Sequence, residues 1–381
     1  MIITKLSNQS DKKILLEKVG STKEGSSIMI DKMQTHFFYI KDLRTPAANI
    51  LKQDALSIGA ELAVEKDTIL CKDDTVDALL IANDKQLKVL AKKELAQPFG
   101  LKILAKTIKE HIKTKEHEPK IMGVLNINDD SFFHSSRVNE KNQSIMIEKM
   151  IEEGADIIDI GAVSSRPGAE SVSEEEEFHR LKQIIDVIYL GKYTDKVAFS
   201  LDSYALKPLE YALDKGFSIV NDITGLSSDK VCSLAASYQA RVVLMHMQGT
   251  PQTMQVNPHY EHLIAEVDSF FTERLQKAES FGIKDVILDI GLGFGKSLEH
   301  NLLLLKHLGH FKHFQKELLV GASRKSMIDM ILPTPVDERL PATLALHLKA
   351  IDEGASILRV HDVKAHQQAL SVQRALQGVT I

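Results

Sequence analysis

The chain has 381 residues, of which 44% are apolar and 26% charged, and a formal net charge of −5. That length exceeds one average domain and favours a large domain plus a smaller one, in a composition ordinary for a water-soluble globular protein. The negative balance provides no overall positive field for nucleic acid, and two cysteines cannot build a disulfide framework. No apolar run approaches the roughly 18 residues of a membrane span, and residues 1–30 lack a secretion pattern. Cys71 and Cys232 read as free thiols of a reducing compartment, so the expectation is a cytoplasmic protein without membrane or nucleic-acid partners.

In chain order, Thr35–Ile40 and Ala78–Ala82 read as short strands, and Ala47–Gly59 and Lys85–Leu95 as helices. The basic and polar stretch Lys106–Lys120 reads as a helix end and linker, because Pro119 disfavours a helical residue before it. No catalytic constellation falls in residues 1–117, which are expected to form a small α/β accessory or oligomerisation domain.

From residue 118 to 381 strand and helix patterns alternate. The expected strands are Lys120–Asn126, Asp156–Ala162, Lys196–Asp202, Ser218–Ile223, Arg241–Met247, Asp285–Leu292, Glu317–Ser323 and Ala355–Asp362. Their continuous apolar runs suit strands covered on both faces, the mark of a parallel sheet. Helical spacing follows each, as in Ile145, Ile147, Met150 and Ile151, or Leu181, Ile184, Ile185 and Ile188. Gly154, Gly216, Gly282 and Gly354 sit where a left-handed residue ends a helix before the next strand. Eight such units over about 260 residues predict a (β/α)8 TIM barrel rather than a doubly wound sheet.

In such a barrel the C-terminal strand ends carry the chemistry. Here they place Asn126, Ser164–Gly168, Asp202, Asn221, His246, Asp289, Ser323–Ser326 and Arg359–His361. Asp202, Asn221 and Asp289 suit the donor-rich edge of a heterocycle. Arg166, Lys325, Arg359 and His361 suit phosphate oxygens. Asn126, with Asp129 or Asp130, offers hard oxygens for a Mg²⁺ shared with a phosphate group. Gly291, Gly293 and Gly295, after Asp289, let the backbone bend sharply and approach a ligand.

Plainer readings apply to single residues. An Asp at a strand end also serves as an ordinary helix cap. His246, between Met245 and Met247, reads as a satisfied core histidine. Glu174–Glu177 open a helix, where acidic side chains suit the macrodipole, and read as a solvated face.

Taken together, the strand-end residues resemble dihydropteroate synthases. The resemblance covers about Lys120 to Gln377. It is carried by MGVLNINDDSF (Met122–Phe132), GAVSSRPGAE (Gly161–Glu170), LDSYALKP (Leu201–Pro208), VNDITG (Val220–Gly225), LMHMQGTPQTMQ (Leu244–Gln255), LDIGLGFGK (Leu288–Lys296), GASRKS (Gly321–Ser326) and RVHDV (Arg359–Val363). It implies condensation of para-aminobenzoate with dihydropterin hydroxymethyl diphosphate, with Mg²⁺ as cofactor, in a homodimer. By resemblance, Asp202, Asn221, Asp289 and Lys325 hold the pterin. Ser165, Arg166, Arg359 and His361 surround the diphosphate, and Asn126 carries the metal. Phe132, Pro167, Phe294, Lys325 and Ser326 form the aminobenzoate pocket, and Asp202, Asp289, Lys325 and Arg166 are the groups implied in catalysis.

The first loop lacks the family's proline, Ser165 stands where threonine is usual, and Ile290 replaces the proline after the sixth strand. None of these changes removes a catalytic group. The rival readings are a pterin-binding methyltransferase, against which the cations after the seventh and eighth strands count, and a non-catalytic pterin-binding module.

Overall fold

The computed structural model describes residues 1–8, 10–113, 115–127, 136–163 and 172–379, with the side chains of 136–141 excepted. The chain forms two compact units. One comprises Met1–Lys115 with His313–Gln315 and the C-terminal residues from Arg374. The other comprises Glu116–Lys312 and Lys316–Gln373.

The N-terminal unit holds a three-stranded antiparallel sheet of β1 (Thr35–Arg44), β2 (Glu61–Val64) and β3 (Thr75–Asn83), in the order β1-β3-β2. Alternation decides its buried face. Val76, Ala78, Leu80 and Ala82 of β3 point inward with Leu62 of β2. Ala78, Leu80, Ala82 and Leu62 pack on Leu51 and Ala55 of the helix Thr45–Ser57 and on Leu87 and Leu90 of the helix Asp84–Glu94. The latter helix starts in a capping box between Asn83 and Gln86, which satisfies two otherwise orphaned backbone donors. The short strand β2 and the helices Lys12–Lys18, Lys23–Ile30 and Leu101–His111 add to the elements expected from the sequence. β2 is four residues long and carries only alternating Leu and Val, too little for its pattern to stand out.

The second unit is a closed barrel of eight parallel strands. These are β4 (Lys120–Asn126), β5 (Ile157–Gly161), β6 (Ala198–Asp202), β7 (Ile219–Asp222), β8 (Arg241–Met245), β9 (Val286–Asp289), β10 (Glu317–Val320) and β11 (Ile357–Val360). They pair in chain order, and β11 closes on β4. Gly154, Gly216, Gly282 and Gly354 take φ of 93°, 92°, 84° and 98°, the left-handed helix stops expected of them.

Inside, Met122, Ile157, Ala198, Ile219, Val243, Ile287, Leu319 and Ile357 form an apolar floor. Side chains alternate along a strand, so the residue two further on returns to the interior. On β5, β6, β7, β9 and β11 that residue is Asp159, Ser200, Asn221, Asp289 and Arg359. The barrel interior therefore changes from apolar to polar within one step toward the C-terminal mouth.

Candidate active site

Arg359, Asp159, Asn221 and Asp202 form one hydrogen-bonded network at the mouth. Arg359 Nε donates to Asp159 Oδ2 at 2.7 Å, and its Nη2 donates to Asp202 Oδ2 at 2.6 Å. Asn221 Nδ2 donates to the same Asp159 oxygen at 3.1 Å. Burial works against the Arg359 charge, but Asp159 and Asp202 together raise its pKa above the ordinary value. Burial pushes Asp202 up to about 7, against the lowering effect of Arg359. Asp289 is also raised by burial, moderated by Lys325 and by the Gly291 amide, which donates to its Oδ1 at 2.7 Å.

Lys325 lies over the Phe294 ring, 4.5 Å from its centroid, and donates to the Leu292 carbonyl. Burial brings its amine down to about 8, although the carboxylates of Asp289 and Asp202 favour the charged form. The residue before it, Arg324, has φ 56°, a strained conformation for a residue with a Cβ. Arg324 is held by two guanidinium bonds to Asp362 at 2.8 and 3.0 Å, while its backbone amide donates to Thr343 Oγ1 at 3.1 Å. His361 meets Ser323 Oγ through Nδ1 at 2.9 Å. Ser326 begins the helix Ser326–Ile331.

The glycine loop behaves differently from its expected approach to a ligand. A Cβ on Gly291 would lie 2.0 Å from the His246 carbonyl oxygen, and one on Gly295 would lie 2.5 Å from that of Gln248. These two glycines admit the backbone of the neighbouring loop, whereas Gly293 faces the Lys325 side chain. Lys296 ties the two loops together. Its buried amine meets His246 Nδ1 at 2.9 Å and the carbonyls of His246, Gly291 and Phe294 at 3.0 to 3.2 Å. Burial brings that amine down to about 7, and burial with the nearby Lys296 charge brings the His246 ring to about 2. His246 also stacks edge-on to Phe270, so its reading as a satisfied core histidine agrees with its surroundings.

Asn126, Asp202 and Gly161 meet at the rim. A Cβ on Gly161 would sit 3.7 Å from Asn126 Oδ1 and 3.8 Å from Asp202 Oδ2. The structure thus brings Asp202, Asn221, Asp289, Lys325 and Arg359 into the barrel mouth, with Asn126, Phe294, Ser326 and His361 around it. Asp129, Asp130, Phe132, Ser165, Arg166 and Pro167 lie outside the described residues.

One expectation needs correction. Glu174, Glu175 and Glu176 are exposed, but Glu177 is buried and its pKa is raised by burial, with Ser203 hydrogen-bonded to it. The helical turn carries Glu177 onto the same inward face as Leu181 and Ile184. Two groups escaped the sequence reading. Asp159 sits inside the run Ile157-Ile-Asp-Ile-Gly161, where a lone acid in a fully buried strand was the available signal. Lys296 closes the glycine motif, yet its four partners are separated from it in part by some 50 residues of chain.

A parallel eight-stranded barrel whose mouth combines buried carboxylates, an amide and two cations defines a (β/α)8 enzyme for a polar heterocycle carrying an anionic group. Comparison with known proteins agrees. Residues 122–361 match the model of the pterin-binding enzyme family. The bifunctional dihydropteroate synthase/dihydropteroate reductase of Helicobacter pylori is 43% identical over 378 residues, 99% of each chain. The dihydropteroate synthase of Haemophilus influenzae is 41% identical over 260 residues, 68% of this chain and 94% of its own. Among solved structures, Yersinia pestis dihydropteroate synthase with a sulfonamide drug complex has a TM-score of 0.63 at 37% identity, over 69% of this chain and 95% of its own. The Thermus thermophilus enzyme in complex with 4-aminobenzoate has a TM-score of 0.60 at 37% identity, over 68% and 95%. The chain belongs to the dihydropteroate synthase family of pterin-binding enzymes, transferases of folate biosynthesis.

Proposed function

We propose that this chain joins para-aminobenzoate to dihydropterin hydroxymethyl diphosphate by an SN1-like path, with roles divided among the barrel-mouth residues. Asp202, Asn221 and Asp289 take the ring donors of the pterin, and Lys325 takes an acceptor. Ser165, Arg166, Arg359 and His361 take the diphosphate. Phe132, Pro167, Phe294, Lys325 and Ser326 enclose the aminobenzoate.

The carrying observation is the polar mouth itself: Asp202 and Asp289 face Lys325 and Arg359 above an apolar floor. When the methylene C–O bond breaks, its electron pair leaves with the diphosphate and positive charge spreads into the pterin. Asp202 and Asp289 are preorganised against that charge, which burial makes more effective than it would be in water. The aminobenzoate nitrogen then donates its lone pair to the methylene carbon and passes a proton to the released diphosphate or to water. No enzyme nucleophile is needed.

The Asn126 side-chain oxygen at the rim, next to Asp202, is a donor suited to Mg²⁺. A Mg²⁺ ion bound there would neutralise part of the diphosphate charge. We also assign the protein to the cytosol and to a homodimer. The two free cysteines support the compartment, and no helix among the described residues is long and apolar enough to cross a membrane. The homodimer rests on the family resemblance alone.

Diphosphate release, measured with and without para-aminobenzoate, tests the reading. Release that depends on aminobenzoate supports it. Methyl transfer from a pterin without diphosphate release would replace it, and binding without turnover would reduce it to a pterin-binding module.

A second activity, reduction of dihydropteroate, is favoured by one observation. The Helicobacter pylori relative, whose name includes a reductase, matches the N-terminal unit as well as the barrel, whereas the Haemophilus influenzae synthase matches 68% of the chain. Incubating the full chain with dihydropteroate and a reduced nicotinamide or flavin tests it. Absence of tetrahydropteroate would remove this reading and leave the synthase untouched.

A further inference from the structure

Behind the loops that follow β10 and β11 lie two histidines with no part in the chemistry above. His347, on the helix Leu340–Asp352, and His366, on the helix Val363–Gly378, are each 1% exposed. The Ala322 amide donates to His347 Nε2 at 3.0 Å. His347 Nδ1 meets His366 Nε2 at 2.8 Å, and His366 Nδ1 meets the Asp362 carbonyl at 2.8 Å.

The direction of this chain is determined at both ends. A backbone amide only donates, so His347 Nε2 carries a lone pair and its proton is on Nδ1. That proton goes to His366 Nε2, so the second ring is also protonated on Nδ1. The Asp362 carbonyl, which only accepts, ends the line. Two neutral rings in the same tautomer satisfy every link, and a further proton would set one N–H against another.

The two ends matter. Ala322 opens the turn Ala322–Lys325, which places the strained Arg324 and hence Lys325. Asp362 follows His361, lies three residues after Arg359, and its carboxylate holds Arg324. Backbone strain persists only where the surroundings over-determine it, and here Thr343, Asp362 and the two rings share that task.

We propose that His347 and His366 are positioning residues of the reaction, a tautomer-locked strut that holds the turn Ala322–Lys325 against the loop Arg359–Asp362 and so aims Lys325 at the substrate. The inference rests on the synthase reading for the role of Lys325. Burial keeps the pKa of both rings below the usual histidine value. His366 and Lys325 face His347 and lower it further, while Asp362, facing His366, opposes the shift there.

The test uses the full chain. In ¹⁵N NMR of the wild-type protein at pH 7, both rings are expected neutral with the proton on Nδ1. His347→Leu removes both links of the strut and should raise KM for the pterin diphosphate about tenfold, on the scale of the buried Ala322 amide left without an acceptor. His347→Gln, whose oxygen accepts from Ala322 and whose amide donates to His366, should stay within about threefold of wild type. Either ring in the other tautomer overturns the proposal, as does a folded Leu variant with unchanged KM, or equal losses for Leu and Gln. Should the Leu variant not fold, the NMR result and the Gln variant still decide. If the wild type lacks turnover, the synthase reading fails, whereas the tautomer measurement still stands or falls by itself.

Discussion

Replacing Gly291 by alanine tests how the sixth strand end is built. The residue has φ 63°, so any Cβ there carries left-handed strain of about 1 kcal/mol. The new methyl would also lie 2.0 Å from the His246 carbonyl oxygen and 3.1 Å from its carbon, both backbone atoms without rotamer freedom. Opening a gap of about 1 Å between two packed loops is overpacking, worth a further ~2 kcal/mol. The expected loss is therefore about 3 kcal/mol. Gly282 supplies the control: its φ is 84°, but a Cβ there meets nothing within 4 Å, so Gly282→Ala should cost the strain alone. Both sit in the barrel unit, so urea unfolding followed by circular dichroism compares them directly; the chain has no tryptophan to report by fluorescence. The Gly291 variant should also bind pterin more weakly, because its amide is the donor to Asp289 Oδ1. A Gly291 variant as stable as the Gly282 control would refute the reasoning, since the steric contact would then cost nothing.

Three further outcomes are expected. Lys325→Ala and Asp289→Ala should each lower turnover by about a hundredfold while circular dichroism shows the fold retained, on the scale of one lost charged contact in the transition state; near wild-type rates at saturating substrate would displace them from the pterin site. Asp202 is charged above about 7 and Lys325 below about 8, so kcat/KM for the pterin diphosphate should fall on both sides of a narrow window, and a flat profile across it would separate these groups from binding. Para-aminobenzoate should bind more tightly once pterin and pyrophosphate are present, and Phe132→Ala should raise its KM with little effect on pterin diphosphate, with equal aminobenzoate affinity in calorimetry for free and loaded protein as the contrary result.

Local chemistry was enough to read much of this protein. Apolar runs of the right length, each followed by helical spacing and with a glycine stop before four of the strands, determine eight strand–helix units because period and turn chemistry are properties of neighbouring residues. The same locality placed Asp202, Asn221, Asp289 and Arg359 at strand ends, since a strand that turns polar does so where the interior opens. The N-terminal strands β1 and β3 were legible for the same reason. What the sequence could not decide is which distant groups meet. Closing β11 onto β4 brings Arg359 to Asp159 and Asp202, across 200 and 157 residues of chain. Packing of two loops gives Lys296 its partners, and packing of two helices joins His347 to His366. Burial of Glu177 likewise follows from the helix's seating rather than from its acidic first turn. Those pairings depend on barrel closure and on the desolvation it imposes, and both arise only when the whole chain is folded.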